Sequence, residues 1–107
     1  MKLLNAFSLN MLPTHLGVNI DVKNLSVSDA QRLLKVNAFE SYVGHADTAA
    51  LFSNILEMPV CSIRQNVTLT GGDQAIVGQH IGPRLPEGAT TLPEGAQIKW
   101  FLVEIWE

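Results

Sequence analysis

The sequence predicts one α/β domain over residues 1–107, a mixed β-sheet with a few short helices. Three observations lead to it. Leu16, Val18, Ile20 and Val22 alternate, as in a strand with one wet face. Leu51, Phe52, Ile55 and Leu56 fall at helical spacing in the run that follows Asp47 and Thr48. Ile98 to Trp106 is apolar on both faces, the pattern of a strand placed centrally or at a subunit contact. With 47% hydrophobic and 16% charged residues, the chain has side chains for one core and too little charge for disorder.

The elements follow in order. Lys2 to Phe7 reads as a first strand, after which Asn5, Ser8 and Asn10 break the apolar run and Pro13 blocks its continuation. Ser8 is suited to capping a single helical turn. With Asn5 it is equally suited to offering hydrogen bonds at the carboxyl end of a strand, where α/β folds place ligands. Leu16 to Val22 is the alternating strand. Ser28 to Val36 reads as a short amphipathic helix begun by Ser26 or Ser28, with Asp29 and Lys35 complementing its dipole. Phe39 to Val43 is a short strand or extended lead-in. The next helix runs from Ala46 or Asp47 to Glu57, where Pro59 stops it.

Arg64–Thr70 and Gln74–Ile81, joined by Gly71-Gly72-Asp73, read as a β-hairpin. The segment Gly82 to Gln97 holds three of the five prolines and three of the eight glycines. Within it Leu85-Pro86-Glu87-Gly88-Ala89 recurs as Leu92-Pro93-Glu94-Gly95-Ala96. It is either a functional loop or two tandem tight turns.

Composition excludes several classes. A net charge of −3 argues against a protein that coats long nucleic acid. No apolar run approaches the roughly 18 residues of a membrane span, and Met1-Lys2-Leu3-Leu4 reads as a strand, not a signal peptide. The single Cys61 cannot form an internal disulfide, so a reducing cytoplasm is expected. Beside Met58, Pro59 and Val60 it reads as a buried structural thiol. Low charge on so apolar a chain points to surface buried between subunits. His15, His45 and His80 lack metal-ligand spacing, and no P-loop, nucleophile elbow or dinucleotide fingerprint occurs, so neither metal nor cofactor is expected.

The chemistry centres on Tyr42-Val43-Gly44-His45-Ala46-Asp47-Thr48. Gly44 permits a tight turn, and His45 stands at the mouth of a helix whose free N–H groups suit an anion. Arg84 follows a strand, Glu87 lies three residues on, and Asn5 and Ser8 follow another strand. Histidine, arginine, a carboxylate and neutral donors are the parts of metal-free phosphodiester cleavage: arginine grips the charged phosphorus, and histidine moves a proton near neutral pH. His15 reads as a solvated turn residue, and His80 as either a packed histidine or a ligand contact.

Leu4-Asn5-Ala6-Phe7-Ser8-Leu9-Asn10-Met11-Leu12, then Val43-Gly44-His45 with Thr48, then Arg84-Leu85 with Glu87-Gly88, resembles the small viral anti-CRISPR ring nucleases directed at type III systems. The resemblance covers nearly the whole chain. It implies a homodimer of mixed α/β subunits that binds cyclic tetra-adenylate and cuts it, without metal, to linear di-adenylates ending in 2′,3′-cyclic phosphate. The nucleophile is the substrate's own 2′-hydroxyl. His45 is then the general acid, Arg84 stabilises the transition state, and Glu87 orients or tunes His45. Asn5, Ser8, Asn10 and Gly44 hold substrate. The family's glutamine ahead of the arginine falls on Gln79 or His80, and the segment after Gly88 implies a lid of different shape. Two other readings stand beside this one: a protein that sequesters a cyclic oligonucleotide without cutting it, and a structural domain in which His45 only caps a helix.

Overall fold

The architecture follows from which apolar faces need cover. The computed structural model describes residues 1–13 and 17–106. Its elements are β1 (Lys2–Leu4), a 3-10 turn (Leu9–Met11), β2 (Asn19–Leu25), α1 (Val27–Val36), β3 (Glu40–Ser41), α2 (Ala46–Leu56), β4 (Gln74–Ile81) and β5 (Gln97–Trp106). The strands form one five-stranded sheet in the order β2-β5-β4-β1-β3. β1 is parallel to β3 and β4, while β5 is antiparallel to β4 and β2. The sheet is therefore mixed, as the sequence predicts, and β5 lies inside it, which is why both its faces are apolar.

The two helices cover one face. Ala30 and Leu34 of α1 and Ala49, Phe52 and Leu56 of α2 pack with Leu3, Ile76 and Trp100. On the other face Leu4, Ala75, Val77, Val103 and Ile105 are covered by irregular chain carrying Phe7, Met11, Leu12, Val67 and Leu69. Ser26, not Ser28, caps α1, its Oγ accepting from Asp29 N–H at 3.0 Å. α2 ends where Glu57 turns left-handed at φ 55, two residues before Pro59.

One close approach fixes α2 on the sheet. The Phe52 and Trp100 rings meet with centroids 4.9 Å apart and planes tilted by 55°. They do so over Gly78, where a Cβ would stand 2.7 Å from Phe52 Cζ and from Trp100 Cζ3.

Several expectations need correction. Residues 64–70 do not pair with β4. Both edges of β4 are taken, by β1 and β5, and Leu69 instead donates its N–H to Met11 C=O at 2.7 Å and buries its side chain. The Gly71-Gly72 turn forms, but without a hairpin ladder; the antiparallel partner of β4 is β5, reached through the 82–96 loop. β1 stops at Leu4, well before Phe7, because the chain leaves the sheet at Asn5. β2 starts and ends three residues later than the alternating pattern, at Asn19 and Leu25. Leu16 and His15 lie outside the described residues. Cys61 is exposed, since residues 62–63 run along the edge of the sheet beyond β3, with Ile63 N–H donating to Val43 C=O. The repeated Leu-Pro-Glu-Gly-Ala segments form tandem turns. Ala89 N–H reaches Pro86 C=O and Ala96 N–H reaches Pro93 C=O, both at 3.1 Å, with Gly88 and Gly95 at φ 76 and 82.

Two predictions follow from this packing. Gly78→Ala forces Phe52 and Trp100 apart and destabilises the fold by about 1–3 kcal/mol, read as a lowered melting temperature. The second concerns Asp73, whose Oδ2 accepts from Thr70 N–H at 2.8 Å and Lys2 Nζ at 3.2 Å. Burial opposes its charge, but the Thr70 and Lys2 hydrogen bonds and the Lys2 charge outweigh burial and hold the carboxyl below its usual range. A lowered folded value means the stabilisation is full above the unfolded pKa and disappears as pH falls through the folded one. Asp73→Ala thus costs about 1 kcal/mol at pH 7, and urea denaturation shows the gap from wild type closing below a pH of about 4.

Candidate functional site

β1, β3 and β4 run parallel, so their carboxyl ends open on the same side of the sheet. Asn5 leaves β1, Gly44 and His45 follow β3, and Arg84 follows β4. The mouth of α2 opens at the same end, the crevice where open α/β sheets place ligands.

His45 is the N-cap of α2. Its backbone is extended, at φ −130 and ψ 128, and its Nδ1 accepts from Asp47 N–H at 3.3 Å. That contact assigns the ring proton to Nε2 and leaves Nε2 free of the helix. Asp47 in turn accepts the Gly88 N–H at 2.9 Å, and Asn54 Nδ2 donates to Thr90 C=O at 2.7 Å. The proline- and glycine-rich loop is thereby folded against α2.

A cavity of about 530 Å³ results, lined by His45, Asp47, Thr48, Arg84, Leu85, Pro86, Glu87 and Ala89. A second, of about 440 Å³, shares Thr48, Arg84 and Leu85 with it and adds Asn5, Phe52, Gly78 and His80. A third, of about 620 Å³, shares Asn5 with the second and adds Ser8, Asn10 and Gly44. The first two adjoin through Thr48, Arg84 and Leu85; the third meets the second only at Asn5 and is otherwise lined by residues such as Leu4, Met11, Tyr42 and Val67, which pack on the other face of the sheet. Of the nine residues proposed from sequence, His45, Arg84, Glu87, Asn5 and His80 line the first two cavities, and Ser8, Asn10 and Gly44 line the third with Asn5.

Gln79 is the ninth, and it lies elsewhere. On β4 successive side chains face opposite ways. His80 shares the helix-covered face with Gly78 and Ile76, whereas Gln79 lines a shallow groove on the other face with Phe7, Val22 and Phe101. Among the described residues His80 Nε2 is buried without a hydrogen-bond partner, so the packing around His80 leaves that nitrogen unsatisfied.

Individual roles also sharpen. Ser8 caps the 3-10 turn, its Oγ accepting from Asn10 N–H at 3.2 Å, and still lines the third cavity. Gly44 is outside the left-handed region, and a Cβ there would make only ordinary contact, 3.9 Å from Arg64 Cγ. The tight turn expected at Gly44 is therefore not what holds the chain. Among the described residues no hydrogen bond joins Glu87 to His45, and no three His, Cys, Asp or Glu side chains cluster as metal ligands. Sequence reading missed Asp47, which looked like an ordinary first-turn acid, and left Thr48 without a role. The available signal was position: Thr48 lies three residues after His45, on the same helical face.

The fold and cleft define a small mixed-sheet α/β protein with an open polar site at the carboxyl ends of its parallel strands. The family model described as STIV B116-like matches residues 1–100, and the chain belongs to that family. It is 32% identical over 108 residues to "Uncharacterized protein 26" of Sulfolobus islandicus filamentous virus (isolate Iceland/Hveragerdi), covering 99% of this chain and 87% of that protein. The solved structure of B116 of Sulfolobus turreted icosahedral virus superimposes with a TM-score of 0.77 at 27% identity, covering 99% of this chain and 97% of that one. Both relatives are archaeal-virus proteins. Among the described residues no helix is long and apolar enough to cross a membrane.

The cap makes a prediction that does not depend on activity. His45→Ala removes the acceptor for Asp47 N–H and costs about 0.5–1 kcal/mol, whereas His45→Ser restores a capping oxygen and with it most of the loss. Urea denaturation of the three proteins measures both.

Proposed function

We propose that the cleft is the active site of a metal-independent ring nuclease that opens cyclic tetra-adenylate into linear di-adenylates ending in 2′,3′-cyclic phosphate and so switches off type III CRISPR signalling in the host cytoplasm. One observation carries the reading: His45, Arg84 and Glu87, separated in sequence, line the same cavity at a helix mouth. The family membership and the archaeal-virus relatives support it.

The substrate's 2′-oxygen attacks the adjacent phosphorus as the bond from phosphorus to the 5′-oxygen breaks. The 2′-proton leaves to water, and protonated His45 supplies the proton that the departing 5′-oxygen takes up. Arg84 stabilises the charge gathered on the phosphoryl oxygens, a task suited to its planar fork. Asn5, Ser8 and Asn10 offer neutral hydrogen bonds to ribose or phosphate. Among the described residues that line the first cavity, Arg84 is the only lysine or arginine, beside Asp47 and Glu87. A ring with four phosphates asks for more positive charge than this, and a homodimer presenting two such cavities to one ring answers that need.

The cap bears on the mechanism. An imidazolium carries protons on both nitrogens, so a protonated His45 must give up the 3.3 Å contact with Asp47 N–H. The same contact favours a second reading, in which His45 is purely a cap and the protein sequesters the ring uncut.

His45→Ser separates the two because it keeps the cap and removes the proton donor. Radiolabelled cyclic tetra-adenylate is incubated in EDTA with wild type, His45→Ser and Arg84→Ala. The ring-nuclease reading expects wild-type cleavage, His45→Ser slowed on the order of 10²–10⁴-fold with binding retained, and Arg84→Ala impaired in both. Binding without cleavage by wild type supports sequestration, and absence of binding rejects both.

A further inference from the structure

We propose that Asp47 and Asn54 form a clamp that positions Arg84 and Glu87 over His45, so that Asp47 and Asn54 act in the reaction without themselves touching the phosphate. The inference rests on the ring-nuclease reading and assigns two positioning residues to its site.

The two side chains are seven residues apart on α2, hence on one face two turns apart. Each makes a hydrogen bond to the backbone of the same short stretch of loop: Asp47 Oδ2 from Gly88 N–H at 2.9 Å, Asn54 Nδ2 to Thr90 C=O at 2.7 Å. One accepts and the other donates, so the pair fixes both the position and the direction of the loop. Gly88 directly follows Glu87 and is the left-handed corner, at φ 76, of the turn closed by Ala89 N–H to Pro86 C=O. The stems of the loop touch where Gly82 faces the Gly95 carbonyl with no space for a Cβ. The loop that carries Arg84 and Glu87 is therefore held at its base by the chain itself and at its tip by two hydrogen bonds from α2.

The helix whose mouth presents His45 thus also sets the loop opposite it. Asp47 has both connections: its N–H goes to His45 Nδ1 and its carboxylate to Gly88 N–H. Releasing the tip moves Glu87 and Arg84 relative to His45 while leaving the folded core intact. Catalysis is sensitive to such displacement: a misplacement of about 1 Å can cost on the order of 100-fold in rate.

The test has two parts on the full chain. In ¹H–¹⁵N spectra, the Gly88 amide proton moves upfield in Asp47→Ala, which removes its acceptor, and stays near its wild-type position in Asp47→Asn. Single-turnover cleavage at saturating cyclic tetra-adenylate is then compared with the dissociation constant, with melting temperatures recorded to confirm folding. Asp47→Ala is expected to slow cleavage by roughly 10- to 100-fold with little change in affinity. Asp47→Asn, which keeps an acceptor for Gly88, recovers most of the rate, and Asn54→Ala shows a smaller loss. A wild-type rate in Asp47→Ala overturns the proposal. So does a loss in Asp47→Asn equal to that in Asp47→Ala, which would mark an effect of charge, or a Gly88 amide indifferent to Asp47. Wild type that does not cut is failure of the ring-nuclease reading, and the Gly88 amide still decides the clamp by itself.

Discussion

The contact of Phe52 with Trp100 over Gly78 sets where α2 lies, and the cleft depends on where α2 lies. Phe52 is fully buried and Trp100 nearly so, and the missing side chain at Gly78 lets the ring edges come down onto β4. From that anchor the helix runs back about two turns to His45, level with the ends of β1 and β4. Phe52 and Gly78 also line the second cavity, so the residues that fix the helix are part of the site wall. A change in this packing is felt in the geometry of the cleft as well as in stability.

The polar layer above that anchor is economical in residues. His45 ends the extended chain after β3 and satisfies an N–H at the start of α2. Asp47 receives the loop, and the loop brings Arg84 and Glu87 to the first cavity. Capping and proton donation compete for one imidazole, because the cap uses a lone pair that protonation removes. A group held by a 3.3 Å contact gives up little when that contact breaks. The arrangement places an imidazole at a helix mouth while keeping a second role open to it.

Much of this was legible in the chain. Both helices were readable from period and caps, β5 from its two apolar faces, and the tandem turns from the repeated Pro-Glu-Gly. The cleft residues were readable because they stand where elements end, and the family resemblance selected among them. The hairpin was misread because Val67 and Leu69 alternate as a strand does, yet serve as a cover for the far face of the sheet. Alternation reports which side chains seek burial, not which edge of a sheet is vacant. The vacant edge of β4 went to β1, whose three residues gave little pattern despite Leu3 and Leu4 being fully buried or nearly so. The choice between Gln79 and His80 needed parity: once Gly78 lies beneath Phe52, period two places His80 in the cleft and Gln79 behind it. The clamp was invisible, since it joins residues 41 and 36 apart whose partners are backbone groups.

The central claim is that this cleft turns the ring's own 2′-hydroxyl against the adjacent phosphorus. The most direct measurement offers the protein cyclic tetra-adenylate and the same ring methylated at every 2′-oxygen, in water enriched in ¹⁸O, with products weighed by mass spectrometry. The account predicts that the unmodified ring opens to di-adenylates whose newly formed 2′,3′-cyclic phosphate contains no ¹⁸O, and that the methylated ring stays intact. Opening of the methylated ring, or ¹⁸O in the phosphate as first formed, would mean that water is the nucleophile and would contradict it.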